Sequence, residues 1–569
     1  MKHKHSSSTY WQIVWKQFSR SRLALFALAI VCLFCLVGIY APFLASSKPL
    51  MVRFDGQWYF PLFRYLFFPG FFTKPLDLFY NLLIFTFPLF LLALITLKNH
   101  PRSCFWTLVA LLSIQGLLFG MILSRTPQDP AASPQLNYAK QMQIQRQLAA
   151  EKQSPLLTHP LLPSWERELS YMTPYAKLNL ILRYQQREAQ DRRLQRFEAS
   201  YVKEAQNRGK TTSLPTLWRQ DLLHAEADEA RQKAVIEQNQ ASYAKAKALY
   251  ALFADQCQKS APPDKHQPLV KCDYLMKLSQ QDNESFLEAK RTVDAFEKAQ
   301  AQLAYLHDRS SWLKQQASQL QFKVMPLLRP FHWEDDAGGE QALNRHISWW
   351  ELTRVNRKDM VAALIFGVRV SLSVGLLSIG LALLIGIPIG AMAGFYGGKV
   401  DMVTYRLIEI WESMPTFFML LMIVAFLQSK SIFLVIIVIG LFGWTSFSRF
   451  IRGEFFRQKQ LPYVEACHAQ GFSNRYIMFS HLLPNAIPPL LTLVPFAIMG
   501  AITSEAGLSF LGLGEEGSSS WGVLMDEGRN AFPAESYLLW PPAILLTILL
   551  VSIALVGDAL RDALDPKLH

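Results

Sequence analysis

Apolar runs and polar stretches alternate along this chain, and the runs fall into one length class. About eight of them, near residues 23–44, 77–97, 105–123, 369–394, 405–427, 431–447, 487–509 and 541–560, approach the ~20 apolar residues that carry a helix across a hydrocarbon core. The pattern predicts an all-α integral membrane protein with about eight transmembrane helices. Lys16, Arg20 and Arg22 precede the first run and "FLASS" follows it. An apolar core of about 22 residues exceeds the ~7–15 of a cleaved signal, so this run is expected to remain as an anchor.

The stretch between the third and fourth runs has another character, rich in Gln, Ala, Lys, Glu and Arg. Leu275, Leu278, Phe286, Ala289, Val293, Phe296, Ala299, Leu303, Leu306, Leu313, Ala317 and Leu320 recur mostly at steps of three and four, the seam of a coiled coil or helical bundle. A helical run over about 224–253 is its expected partner. The turn between them, "CQKSAPPDKHQPLVKC", carries a cysteine at each end. On an oxidising face Cys257 and Cys272 are expected to form a disulfide, contributing about 3 kcal/mol in the loop-entropy model. Cys32, Cys35, Cys104 and Cys467 are expected to stay free. Three blocks follow: 1–123, an anchor, a loop and a helical hairpin; 124–345, the helical coiled-coil insertion; and 346–569, a bundle of five spans with a polar loop at 448–486.

Positive charge sets the orientation. Lys2, Lys4, Lys16, Arg20 and Arg22 place the N-terminus inside, as do Lys98 and Arg102 for the hairpin tip and Arg449, Arg452, Arg457 and Lys459 for the polar loop. The C-terminal "RDALDPKLH" then lies inside too, and residues from about 124 to 360 lie outside. The formal net charge of +13 reflects this topology and contact with lipid headgroups, so no nucleic-acid partner is expected.

The polar loop holds "YVEACHAQGFSNRYIMFSHLLPN", Tyr463 to Asn485. Its residues favour a short helix, a left-handed turn at Gly471 and a second helix, with Pro484 marking re-entry: a knob between two spans. Glu465, Ala466, Cys467, Gly471, Leu483 and Pro484 together resemble the EAA loop of permease subunits of bacterial ABC importers. Cys467 stands where that family usually has a second alanine, and His481 where an aliphatic residue is common. "GVRVSLSVG" (Gly367–Gly375), "GFYGGKVD" (Gly394–Asp401), "EAGLSFLGLG" (Glu505–Gly514), "SWG" (Ser520–Gly522), "EGR" (Glu527–Arg529) and "GDALRDALDP" (Gly557–Pro566) are similar, in order, to the C-type permeases of the Opp/Dpp peptide importers. "KPLMVRFDGQWYFPLF" (Lys48–Phe63) resembles the outer loop of the Yej-type peptide and microcin C permease. The strip "LTRVNRKD" departs from the family, keeping only Thr353, Lys358 and Asp359.

This resemblance implies a non-catalytic permease subunit in a bacterial inner membrane, importing peptides or peptide-like solutes. It implies a B-type permease partner, two ATPase subunits that grip the knob and bind ATP–Mg, and a periplasmic solute-binding protein. The chain itself is expected to hold no cofactor and no metal: "GFYGGKV" has Val400 after its lysine and the wrong glycine spacing for a phosphate loop. Glu409, Glu412 and Glu505, carboxylates in or near spans, are candidates for the translocation path, with helix-end solvation the plainer reading of the first two. The alternative function is an envelope scaffold or channel acting through its coiled coil, with an inactive permease half. An ion-driven transporter would show repeated halves with broken helices, and no such repeat is visible.

Overall fold

A computed structural model of the chain describes residues 10–97, 100–153, 164–207, 224–259, 280–334, 359–427, 430–530 and 538–564. Its residues divide into two compact units, one of 1–50, 65–126 and 325–569, the other of 51–64 and 127–324.

The first unit begins with α1 (Tyr10–Phe18) and the span α2 (Arg22–Ile39), where Ser21 caps the helix by accepting from the Ala24 amide. The expected span to residue 44 is interrupted at Tyr40, and a separate turn, Ala41–Leu44, completes it. Chain entering and leaving the second unit then forms a small sheet. Strand β1 (Met51–Phe54) turns through Asp55 and Gly56, both at positive φ, into β2 (Gln57–Tyr59), an Asp-Gly hairpin of the two-residue kind.

The hairpin α3 (Pro75–Thr96) and α4 (Pro101–Ser124) returns to the first unit. α3 packs on both α2 and α4, whereas only 6% of the apolar window of α4 is buried. The pair is held internally by Thr86 donating to Gln115 Oε1 at 2.6 Å, a polar contact inside apolar helices.

Among its described residues the second unit is helical apart from its sheet: α5 (Pro134–Gln153), α6 (Trp165–Tyr171), α7 (Pro174–Asn207), α8 (His224–Lys259) and α9 (Gln280–Gln319). Phe286, Ala289, Val293, Phe296, Ala299 and Leu313 form the buried seam of α9. The seam faces α8 through stacked Tyr243 and Phe296 rings at 4.0 Å and through Phe253 against Phe286. Strand β3 (Gln321–Val324) then pairs antiparallel with β1, so the sheet order is β2-β1-β3. Just beyond it, in the first unit, Leu327 donates to the Phe43 carbonyl and Ser46 to that of Arg329. The insertion therefore starts and stops side by side, which lets it fold as a closed unit. Sequence patterning missed the sheet. Cys272 lies outside the described residues, and with it the expected disulfide; Cys32, Cys35, Cys104 and Cys467 are free.

The rest of the first unit is built on α10 (Met360–Tyr396). Asp359 caps it, accepting from the Ala362 amide at 2.9 Å while pairing with Arg329 at 2.8 Å. A bent pair follows, α11 (Gly398–Glu412) and α12 (Thr416–Leu427), then α13 (Ile432–Lys459), α14 (Pro462–Ala469), α15 (Leu483–Leu491), α16 (Val494–Leu508), α17 (Trp521–Asn530) and α18 (Trp540–Leu564). Among the described residues, helices α10 and α13 form the most extensive contact between elements. Gly386, Gly390 and Gly394 allow it: a Cβ at these positions would come within 2.5, 2.3 and 2.6 Å of atoms of Trp444, Ser448 and Phe455. Small residues every fourth position bring two membrane helices to backbone contact.

Seven described helices are long and apolar enough to cross a membrane, or eight if the bent pair is one span. The span expected at 405–427 is bent by 71° between α11 and α12, and the pair together makes the eighth candidate. Pro415, without an amide proton, stands at the break. α11 is amphipathic, carrying Asp401, Arg406, Glu409 and Glu412.

Candidate functional site

The two ends of the α10–α13 pair carry different chemistry. α13 has 28 residues, so its ends lie about 42 Å apart at ~1.5 Å per residue. At the C-terminal end stands the knob. Pro462 takes the first helical position, where a missing amide proton costs nothing, and Glu465 lies in the first turn against the helix dipole. The helix ends at Gly471, with φ at +75°. There the Gly471 amide donates to the His468 carbonyl at 3.0 Å and the Phe472 amide to that of Cys467 at 3.1 Å. This paired closure is the Schellman cap, and it needs the left-handed residue that only glycine supplies without strain. Ser473 caps the next turn by accepting from the Tyr476 amide, and a π-helical turn, Ile477–Leu482, leads into α15 at Leu483 and Pro484.

Burial sorts the knob into base and crown. Val464, Cys467, Ile477, Met478 and Leu482 are buried, so Cys467 packs inward and is not part of the outer surface. Glu465, Ala466, Gly471 and Pro484 are exposed. So are three aromatic residues that the sequence reading did not single out, Phe472, Tyr476 and Phe479. Tyr476 and His481 meet edge-on at 5.3 Å, with Phe472 against Tyr476 at 5.2 Å. The base is tied to α13 by Tyr463, which donates to Gln458 Oε1 at 3.0 Å, and meets α10 where the His468 ring stacks on that of Phe395 at 6.4 Å; Lys459, at the end of α13, donates to the Phe395 carbonyl at 2.7 Å. The knob thus meets the ends of both long helices.

Toward the opposite end lies Glu505, on α16, with 1% of its surface exposed. Ser509 and Ser520 both donate to its Oε1, at 2.7 and 2.6 Å, while Oε2 has no hydrogen-bond partner among the described residues. Ser509 opens a second π-helical turn, 509–513, containing Gly512 at φ +80°, and Ser520 precedes α17. Next to Ser520, Trp521 is fully buried and donates to the Leu364 carbonyl of α10 at 3.0 Å. Gly367 makes room for this contact, since a Cβ there would lie 2.5 Å from the Ser519 carbonyl oxygen.

Glu409 and Glu412 do not join Glu505. Both are partly exposed on α11; Glu409 pairs with Arg406 at 2.6 Å and Glu412 with Arg449. Arg452 holds the start of the same helix through Asp401 at 2.8 Å.

A second buried polar cluster escaped the sequence reading. Arg369 of α10 is fully buried and donates to the Gly38 carbonyl at 2.7 Å, Asp77 Oδ1 at 2.8 Å and Asn81 Oδ1 at 3.0 Å. Its guanidinium also lies 4.9 Å from the Phe366 ring centroid and 5.2 Å from that of Tyr80, whose hydroxyl accepts from Ser373. The signal was an aspartate and an arginine, each inside or bordering an apolar run and each costly alone.

Residues 9–61 match the family described as the N-terminal TM domain of oligopeptide transport permease C, and residues 386–569 match the binding-protein-dependent transport system inner membrane component. The oligopeptide transport system permease protein OppC of Haemophilus influenzae is 34% identical over 247 residues, 43% of this chain and 79% of that one. This chain belongs to the peptide ABC permease family. It is also 39% identical over 219 residues to the peptidoglycan transport system permease protein YejE of Agrobacterium fabrum, 38% of this chain and 57% of that one. The inner membrane ABC transporter permease protein YejE of Escherichia coli is 38% identical over 219 residues, 38% of this chain and 64% of that one. The chain thus spans under two thirds of the length of these two YejE relatives. The knob and Glu505 lie within the second family match; the hairpin and nearly all of the second unit lie between the two matches.

Proposed function

We propose that this chain is one of two permease subunits of an ATP-driven importer of peptides or peptide-like solutes. The observation that carries the reading is the knob: a Schellman-capped helix with an exposed face of Glu465, Ala466, Phe472, Tyr476 and Phe479, seated on the ends of α10 and α13. An exposed aromatic cluster on a rigid helix pair suits insertion into a groove of a soluble partner. In this reading the partners are two ATPase subunits, which bind ATP–Mg and act on the knob from the cytoplasm. The positive-charge pattern supports placing both chain termini on that side. A solute-binding protein delivers peptide from the periplasm, where the second unit lies, to a path between this chain and a B-type permease. ATP hydrolysis moves the path only if the ATPases bind the knob differently in two states.

Affinity purification of the tagged chain in mild detergent, with mass spectrometry of what co-elutes, tests this. A second permease and ATPases are expected with the native chain, and loss of the ATPases with a Glu465→Lys, Gly471→Pro variant. Elution with envelope proteins alone would overturn the reading in favour of a scaffold acting through the coiled coil.

A further inference from the structure

The inserted hairpin is joined to the family core by a polar stripe. Lys74, Asp77 and Asn81 are spaced at three and four residues, so they share one face of the α3 helix and its cap position. Asp77 and Asn81 hold Arg369 of α10, as described. Lys74 reaches a different part of the core. Its ammonium donates to the Glu516 carbonyl at 2.8 Å and lies 3.6 Å from Glu515 Oε1, with both side chains only about one fifth exposed (22% and 19%). Lys430, just before α13, pairs with the Glu516 carboxylate at 2.8 Å.

These contacts land on the segment that leads back to Glu505. Gly517 turns at φ +64°, Ser518 donates its amide to the Glu515 carbonyl, and the Ser518 hydroxyl accepts from the Ser520 amide. Ser520 then donates to Glu505, and Trp521 docks on α10. One face of an inserted helix thus touches both α10 and the 514–522 segment of the core.

We propose that α3 is a positioning element for the translocation cycle, and that Lys74 is the residue through which the insertion holds the 514–522 segment closed on α10. This rests on the permease reading. Releasing Lys74 frees Glu515 and the Glu516 carbonyl, and so loosens the turn that presents Ser520 to Glu505. The inserted hairpin would then set how readily the outer end of the core opens.

The test uses the full chain, alone and assembled with its co-purified partners in lipid nanodiscs. Hydrogen exchange of residues 514–524 and ATP hydrolysis without peptide are measured for the native chain, Lys74→Glu, Glu515→Lys, the combined swap and Lys74→Arg. Both charge reversals are expected to raise local exchange by about tenfold, without a general loss of protection in the spans. They are also expected to raise peptide-independent hydrolysis. The swap should recover at least half of both effects, and Lys74→Arg nearly all. Unchanged exchange in Lys74→Glu overturns the clamp, as does a swap that recovers nothing. Faster exchange with unchanged hydrolysis overturns the positioning role and leaves a structural pin. If no ATPase accompanies the native chain, the permease reading falls, while the exchange measurement still decides whether the clamp exists.

Discussion

Two buried polar clusters occupy the same helical core and differ in how completely they are satisfied. At Arg369, a cation faces an aspartate, an asparagine and the backbone carbonyls of Gly38 and Ile39 on α2 and of Asp77 on α3, with two aromatic rings close by. At Glu505, one carboxylate oxygen takes two serine hydroxyls and the other has no partner among the described residues. A fully paired network in low dielectric rigidifies and specifies one arrangement, whereas an unpaired polar atom in the same surroundings is costly to keep. The first cluster reads as a lock between the inserted hairpin and the family core. The second reads as a junction in which one oxygen of Glu505 ties Ser509 to Ser520.

Breaking the lock has the largest expected effect. Asp77→Ala leaves Arg369 as a buried cation without its counter-ion, which costs about 3–5 kcal/mol. The measurement is the midpoint of unfolding in detergent, read for Asp77→Ala, Arg369→Met and the pair Asp77→Leu with Arg369→Met. Each single change should lower the midpoint sharply, and the apolar pair should recover most of the loss. A pair as unstable as either single variant would mean that the cluster is more than an ion lock.

The contrast with Glu505 sharpens at intermediate cost. Glu505→Ala removes the acceptor of two buried hydroxyls and should cost about 1–3 kcal/mol. Glu505→Gln keeps a carbonyl acceptor while placing an amide where Oε2 stands, and should cost less than about 1 kcal/mol. Equal losses for Ala and Gln would show that the free oxygen is packed too tightly to admit a donor. That result would remove the distinction between the two clusters.

These clusters also mark where sequence reading succeeds and stops. Span positions were legible because bilayer thickness imposes one length on every apolar run. The knob was legible because Gly471 and Pro484 are local signals for local geometry. Arg369 stands at the edge of the apolar run near 369–394, yet α10 begins nine residues earlier, at Met360, capped by Asp359. What makes Arg369 tolerable inside the helix is Asp77, 292 positions away, and no window of sequence connects them. The same reason hides β3, which finds its partner β1 across the whole insertion. Two misses were local: Pro415 announces the bend after α11, and Asp55-Gly56 announces the hairpin. The exposed rings of Phe472, Tyr476 and Phe479 became a surface only once burial was known.

The smallest expected effect concerns acid and the segment that joins the two clusters. A hydrogen bond from Lys430 holds the Glu516 carboxyl below its usual 4.5, whereas burial pushes Glu515 up against the opposing pull of Lys74. The signs are opposite. A depressed carboxyl adds stability above its unfolded value, and that stability is lost as pH falls through the folded value; a raised one costs stability as pH rises through the same range and beyond. Acidification from about pH 7 should therefore first relieve Glu515, and only below the ordinary glutamate range weaken the Lys430–Glu516 pair. Thermal midpoints of the full chain, native against Glu515→Gln and Lys430→Ala, separate the two. Glu515→Gln should gain most over native at neutral pH, the gap closing on acidification. Lys430→Ala should lose most at neutral pH, with its gap closing only at the acid end. Gaps that stay constant with pH would show that neither carboxyl feels its neighbour, and that the contacts of Lys74 to the 514–522 segment act through the Glu516 carbonyl alone.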